Sequence, residues 1–314
     1  MVPDADFTSY YGRPVVKASP WTADIPSYLF LGGLAGGSSV LAAGADLTGR
    51  PALRRSARFV ALLGVVGSLG TLVHDLGRPA RFHHMLRVAK RTSPMSVGTW
   101  LLTGYGPMAG LAAISEAHRL LPDGMPGRAL VPGIGRGAGL VAATVGPAVA
   151  AYTSVLLSDT ATPAWHDAGQ QMPFVFVSSA AAAAGGMGLV LTPTAESAPA
   201  RRLGVGGALL EVAADRRMKQ QMGLSAETLD AGRPGRWRMA GRALTAAGVA
   251  GAALGSRSRP LSVVGGLGLV AGSVCTRFGV FEAGQASAKD PRYTVVPQRE
   301  RLDARRAEQA AAAG

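Results

Sequence analysis

The residues of this chain best suited to proton chemistry form a short cluster around His74. Asp75 follows it directly and Arg78 lies three residues further on. An imidazole beside a carboxylate and a guanidinium can bind and release protons near neutral pH. The alternative is a plain helix end, in which Gly77 and Pro79 stop the helix and Asp75 pairs with Arg78. The pattern alone leaves both interpretations open.

A second histidine–aspartate pair, His166 and Asp167, follows Trp165. It offers the same proton chemistry, and its alternative is an interfacial loop anchored by the tryptophan. Tyr152 lies inside an apolar run upstream of this pair. A tyrosine in such a run either contacts a ligand or makes a packed hydrogen bond between helices.

The segments that must position these residues are apolar and long. Hydrophobic residues make up 48% of the 314, and charged residues only 16%, whereas soluble domains have about 25% charged residues. A helix needs about 20 apolar residues to cross a bilayer core of about 30 Å. We therefore predict an all-α integral membrane protein with about eight transmembrane helices. They span residues 25–45, 57–76, 95–115, 137–157, 172–193, 203–218, 240–255 and 261–281.

The sixth and seventh of these helices are the least typical. The sixth is short and carries Glu211 and Asp215, and the seventh is short and rich in alanine and glycine. Glycines crowd the first, second, fifth and eighth helices, as in the pairs at 32–33, 36–37, 185–186 and 265–266. Small residues let membrane helices approach closely, which predicts a compact bundle.

An even number of helices places four polar motifs on the side of the termini. They occupy residues 21–28, 74–82, 158–167 and 277–284, whereas the opposite loops look like plain connections. Of the 32 Lys and Arg, 21 lie on the side of the termini. The excess of basic residues favours both termini in the cytoplasm. We further expect the chain in the inner membrane of a bacterium. The predicted division is an extramembrane segment at 1–24, a membrane domain at 25–281 and a tail at 282–314.

Several functions are disfavoured by composition. The net charge of +13 comes from residues at the ends of apolar runs, which fits topology signals and not nucleic-acid binding. The one cysteine, Cys275, cannot build a zinc or iron–sulfur site, and packing is its expected role. None of the five histidines is predicted at mid-helix, so we expect neither metal nor haem in this chain.

Three stretches then carry a family resemblance. They are YYGRPVVKASPWTADIPSYLFLGGLAGGSSVLA at the start of the chain, HDLGRPARF with the following SPMSVG, and FEAGQASAKDPRYTVVPQR near the C-terminus. They resemble the NrfD-like family of polysulfide-reductase-type membrane anchor subunits. The resemblance extends over residues 10–301. It implies eight helices arranged as two four-helix bundles. It also implies a four-cluster ferredoxin-like iron–sulfur partner, which is bound in turn to a molybdopterin subunit holding molybdenum or tungsten.

The resemblance further implies a bound quinone, with menaquinone as the expected type, near the iron–sulfur partner. Trp21 and Asp24 lie close to positions where some members place polar quinone contacts. Carried over by position, the quinone-binding and proton-relay residues are Tyr28, His74, Asp75, Arg78, Tyr152, His166 and Asp167.

The expected function is therefore that of a quinone-reactive membrane anchor which is not itself the catalytic subunit. It would serve a formate-dehydrogenase-like enzyme or a sulfur-compound reductase. Two alternatives stay open: a purely structural anchor, and a proton-conducting or transporter-like subunit, for which Glu211 is the main candidate residue.

Overall fold

The computed structural model describes residues 14–120, 122 and 125–313, and every regular element within them is helical. The α-helices are α1 (Asp24–Leu47), α2 (Pro51–His74), α3 (Pro94–Ile114), α4 (Val131–Ser158), α5 (Pro163–Asp167), α6 (Met172–Leu191), α7 (Ala198–Gln221), α8 (Gly232–Leu254), α9 (Arg259–Lys289) and α10 (Arg292–Ala313). Short 3-10 helices occupy Pro79–Arg87, Ser115–Leu120, Arg128–Leu130 and Gly223–Leu229.

The eight predicted membrane helices correspond to α1–α4 and α6–α9, which confirms the predicted all-α class. Five of them (α1, α2, α4, α6 and α9) are long and apolar enough to cross a membrane by composition. Helices α7 and α8 carry charges, and glycine and polar aromatic residues dilute the apolar content of α3. Each of these three runs beside a more apolar helix: α3 beside α4, α7 beside α6 and α8 beside α9. Helix α7 has 24 residues and is therefore about 36 Å long, which exceeds the bilayer core of about 30 Å.

The eight long helices form two four-helix bundles, as the family resemblance implied. Helices α1–α4 pack together in the first, and α6–α9 in the second. Helices α1 and α4 of the first bundle contact α6 of the second, so α6 lies at the centre of the molecule. Helix α6 is accordingly the most deeply buried, together with α1.

Glycine seams allow these helices to touch through their backbones, as the small-residue pattern predicted. A Cβ atom added at Gly36 of α1 would lie 2.2 Å from the carbonyl oxygen of Gly146 in α4. In the second bundle a Cβ at Gly185 would lie 2.3 Å from the backbone nitrogen of Gly204. The glycines of α2 differ in this respect: Gly64 packs against α1, whereas Gly70 faces open space.

Helix α9 extends beyond its predicted end. It continues without a break to Lys289, so residue 281, the predicted end of the membrane domain, falls inside a helix. Arg277, which was counted among the cations of the terminal side, is fully buried in the bundle. Its Nη2 donates to the backbone carbonyl oxygen of Phe176 at 2.7 Å. Its guanidinium lies 3.9 Å from the centre of the Phe176 ring. Arg277 therefore joins α9 to α6 and is not a loop charge.

The face opposite the termini was predicted to hold plain connections, and the structure adds a cluster of ion pairs there. Glu116 accepts from Arg54 Nε at 2.7 Å and from Arg58 Nη1 at 2.9 Å, and Arg54 also reaches Asp46 at 3.1 Å. The side chains of Arg58 and Glu116 are only 6% and 3% exposed. Arg54 and Arg58 of α2 are thus held by the carboxylates of Asp46 and Glu116.

Replacing Glu116 by glutamine is expected to lower the free energy of unfolding by about 2 kcal/mol, because Arg58 would keep a buried charge without its carboxylate. The thermal unfolding midpoint of the purified chain in detergent measures this. Glu300→Gln, at an exposed position in α10, removes the same charge and should leave the midpoint unchanged. Equal midpoints for both variants would contradict a stabilising role for the cluster.

Candidate functional site

The four polar motifs of the terminal side meet in space. We call the end of the molecule that carries residues 19–28, 74–82, 158–167 and 277–290 the polar face. Gln285 Nε2 donates to the carbonyl oxygen of Ser19 at 3.0 Å, which ties α9 to the segment before α1. Trp165 stacks on Trp21 with 5.8 Å between ring centres, and its Nε1 donates to the carbonyl oxygen of Val280 at 3.0 Å. The predicted gathering of these motifs is therefore found.

A cavity of about 470 Å³ opens at the polar face of the first bundle. This volume lies within the range of about 300–1,000 Å³ found for small-molecule sites. Its walls are mostly apolar, with polar groups concentrated towards the mouth. The lining residues are Pro20, Trp21, Thr22, Asp24, Ile25, Tyr28, Leu72, His74, Asp75, Leu76, Gly77, Met85, Met95, Gly98, Thr99, Leu102, Tyr152 and Leu156.

An imidazole–carboxylate pair stands at the mouth of this cavity. His74 Nδ1, at the last residue of α2, lies 2.9 Å from Asp24 Oδ2, at the first residue of α1. The hydroxyl of Thr22 donates to Asp24 at 3.1 Å and reaches Asp75 at 3.4 Å. The His74 side chain is 78% exposed and that of Asp24 is 28% exposed. The pair can therefore exchange protons with water on one side and face the cavity on the other.

The alternative of a plain helix end at His74 holds only in part. Helix α2 does end there, and Asp75 is its C-terminal cap. The expected pair between Asp75 and Arg78 is not among the ion pairs of the described residues. Arg78 is exposed at the start of a 3-10 helix and does not line the cavity.

Two buried tyrosines lie deeper in the cavity. Tyr28 of α1 is 2% exposed and Tyr152 of α4 is 8% exposed. The ring of Tyr152 fits only because residue 98 of α3 is glycine: a Cβ there would lie 1.8 Å from the ring carbon that bears the hydroxyl. Two phenol groups in an apolar chamber can donate hydrogen bonds to a carbonyl oxygen of a bound molecule.

The second histidine–aspartate pair lies outside the cavity. His166 is exposed, with Nδ1 3.3 Å from the carbonyl oxygen of Ser158. Asp167 accepts from the hydroxyl of Ser225 at 2.7 Å, which joins α5 to the connection between α7 and α8. Sequence alone could not separate this pair from the first, and the structure brings only the first to the cavity.

Sequence reasoning missed two close-packed positions that shape the polar face. One is Gly98, discussed above, and the other is Gly284 of α9. A Cβ at Gly284 would lie 2.0 Å from the indole of Trp165. Both glycines occur inside the stretches that carried the family resemblance, in SPMSVG and FEAG, and that was the signal available for them.

Comparison with known proteins gives one family match, and it covers the part of the chain that forms this cavity. The protein-family model described as polysulphide reductase, NrfD, matches residues 15–202. The chain belongs to the NrfD family. No curated protein matches the sequence closely enough to add a relative.

The NrfD match contains every residue that lines the cavity, since these run from Pro20 to Leu156. It ends just inside α7, so most of the second bundle lies beyond it. NrfD proteins are membrane subunits of polysulphide-reductase-like complexes. Within the described residues, no group of three His, Cys, Asp or Glu side chains is placed to hold a metal ion.

Proposed function

We propose that this NrfD protein is the quinone-reactive membrane subunit of a molybdopterin and iron–sulfur oxidoreductase complex. The observation that carries the proposal is the cavity of the first bundle, with an exposed His74–Asp24 pair at its mouth and two buried tyrosines inside. Family membership supports it, because the matched residues contain the whole cavity.

The chemistry of a quinone fits these groups. Its ring is flat and apolar with two carbonyl oxygens, and its reduction needs two electrons and two protons at one place. The hydroxyls of Tyr28 and Tyr152 are suited to donate hydrogen bonds to a carbonyl oxygen, and the walls of Ile25, Leu102 and Leu156 are suited to the apolar ring and tail. The His74–Asp24 pair is suited to pass protons between the cavity and water, because the imidazole is exposed.

The electrons are proposed to come from another chain. The partner would be a four-cluster ferredoxin-like subunit docked on the polar face, joined to a molybdopterin subunit that is formate-dehydrogenase-like or reduces a sulfur compound. Menaquinone is the proposed quinone. The proposed setting is a bacterial inner membrane with both termini, and hence the polar face, on the cytoplasmic side.

Substitution of the mouth residues tests the proposal. His74→Ala and Asp24→Asn are expected to lower quinone-coupled turnover of the intact complex by about 100-fold, the usual size of a general acid–base contribution, while the complex still assembles. Turnover is followed as reduction of a short-chain menaquinone analogue. His83→Ala is the matched control, since His83 is exposed in the neighbouring 3-10 helix and does not line the cavity.

Normal turnover in His74→Ala would remove this residue from the proposed relay. Absence of quinone binding by the intact complex, together with insensitivity to quinone analogues, would favour a purely structural anchor.

A proton-conducting role is a second candidate, favoured by one observation in the second bundle. Glu211 of α7 is 6% exposed, accepts from the hydroxyl of Thr276 at 2.7 Å, and has a second carboxyl oxygen without a partner among the described residues. Ionisable groups at such depth are functional candidates. Proton flux across liposomes that contain the chain without its redox partners would support this role, and loss of that flux in Glu211→Gln would assign it.

A further inference from the structure

A groove of about 640 Å³ runs between α7 and α8, with Thr276 of α9 at its floor. Helices α7 and α8 pack only lightly on each other, whereas each packs closely on another helix, α6 or α9. The groove therefore opens sideways, where a membrane helix meets lipid. It lies in the second bundle, away from the quinone cavity.

One end of the groove is cationic. Arg216 and Lys219 of α7 and Arg242 of α8 line it near the polar face, beside Arg238 and Asp215. Arg238 holds Asp215 with contacts of 2.6 and 2.7 Å to the two carboxyl oxygens.

The remaining carboxylate at this end is also neutralised. Burial works against ionisation of Asp230, but its ion pair with Lys219 at 2.6 Å outweighs this and holds the pKa of the Asp230 carboxyl below its usual value. Arg242 lies further off, 3.6 Å from Asp215 and 3.8 Å from Asp230. Arg216 is exposed, and no carboxylate of the described residues pairs with it. The four cations Arg216, Lys219, Arg238 and Arg242 thus face only two carboxylates of the described residues, those of Asp215 and Asp230, so the cationic end keeps a surplus of positive charge.

The other end of the groove is apolar. Its wall consists of Leu209, Val212, Ala246 and Val249. Leu209 is 62% exposed and Val212 is 41% exposed, so both present apolar surface to whatever fills the groove. Arg216 lies about one turn of helix, about 5.4 Å, beyond Val212 in α7. Glu211 lies within the apolar wall, between Leu209 and Val212, and one of its carboxyl oxygens has no partner among the described residues.

We propose that this groove binds one anionic phospholipid of the bilayer. Its phosphate lies against Arg216 and Arg242, its glycerol backbone between these cations and Val212, and one acyl chain along the apolar wall. Basic pockets between membrane helices on the cytoplasmic side hold such headgroups, and the change from cationic to apolar along the groove matches the order of groups in a phospholipid. The proposal does not depend on quinone chemistry.

Native mass spectrometry of the full chain, titrated with phosphatidylglycerol or phosphatidylcholine in detergent, tests the proposal. Wild-type protein should retain one phosphatidylglycerol in preference to phosphatidylcholine. The Arg216→Gln/Arg242→Gln variant should bind it about 25-fold more weakly, since each cation near a headgroup contributes about fivefold. The control Arg217→Gln/Arg236→Gln removes the same charge from exposed positions outside the groove and should bind as wild type.

A second variant tests the apolar end of the groove, where the acyl chain is proposed to bind. Ala246→Trp fills the groove without changing charge and should abolish the retained lipid, whereas Ala247→Trp, one residue away and not lining the groove, should not. Equal retention of the two lipids by wild-type protein would overturn the proposal. So would unchanged binding in both groove variants, or a retained quinone or peptide in place of phospholipid.

Discussion

Gly98→Ala is expected to lower the affinity of the intact complex for a menaquinone analogue by at least about tenfold, and quinone-coupled turnover with it. A methyl group at this position would lie 1.8 Å from the Tyr152 ring, well inside van der Waals contact. Either the ring or α3 must move, and both line the proposed quinone cavity. Binding is measured by quenching of tryptophan fluorescence, since Trp21 also lines the cavity.

Two further variants identify the cause of that loss. Gly104→Ala is the matched control, because residue 104 lies on the same helix and faces open space. In a Tyr152→Ala background, Gly98→Ala should have little additional effect, since the ring it strikes is gone. An additive effect in the double variant would show that residue 98 acts through something other than Tyr152.

Gly36→Ala is expected to destabilise the first bundle by about 3 kcal/mol or more, because the added methyl meets backbone that no rotamer change can move. The new Cβ would lie 2.2 Å from the carbonyl oxygen of Gly146, so α1 and α4 must separate along their length. The thermal unfolding midpoint and the yield of folded chain in detergent are the measurements.

The matched control for this seam is Gly44→Ala, on the same helix with nothing within 4 Å. Alanine is the better helix former by about 1 kcal/mol, so this variant should be neutral or slightly more stable. Similar losses from both substitutions would mean that glycine matters here for helix flexibility and not for contact with α4.

Much of the architecture follows from sequence alone, because a bilayer imposes one rule on every apolar segment. Its length must match the hydrocarbon core and its backbone must be hydrogen-bonded internally. That rule led to the prediction of eight helices, of which five are long and apolar enough by composition. The charged helix at Ala198–Gln221 was predicted from a shorter run. The even count then placed all four polar motifs on one face, where the contacts of Trp165 and Gln285 join them.

Only part of the candidate site could be predicted from the sequence. His74-Asp75 and His166-Asp167 are the same dipeptide, and no local feature decides between them. What separates them is a partner 50 residues away, since His74 lies beside Asp24 at the cavity mouth. Such pairing depends on how the helices are rotated and offset against each other. Neither the rotation nor the offset could be predicted from this one sequence.

The sequence by itself determined the membrane helices, their glycine-rich faces and the side on which the ionisable motifs gather, because hydropathy and chain direction govern all three. Only the tertiary structure decided which of those motifs line the candidate cavity. It paired Arg58 with Glu116 in a buried ion pair, and it showed that the ring of Tyr152 occupies the space left by the missing side chain of Gly98. Close contacts between helices far apart in sequence decide such roles, and they exist only once the bundle has packed.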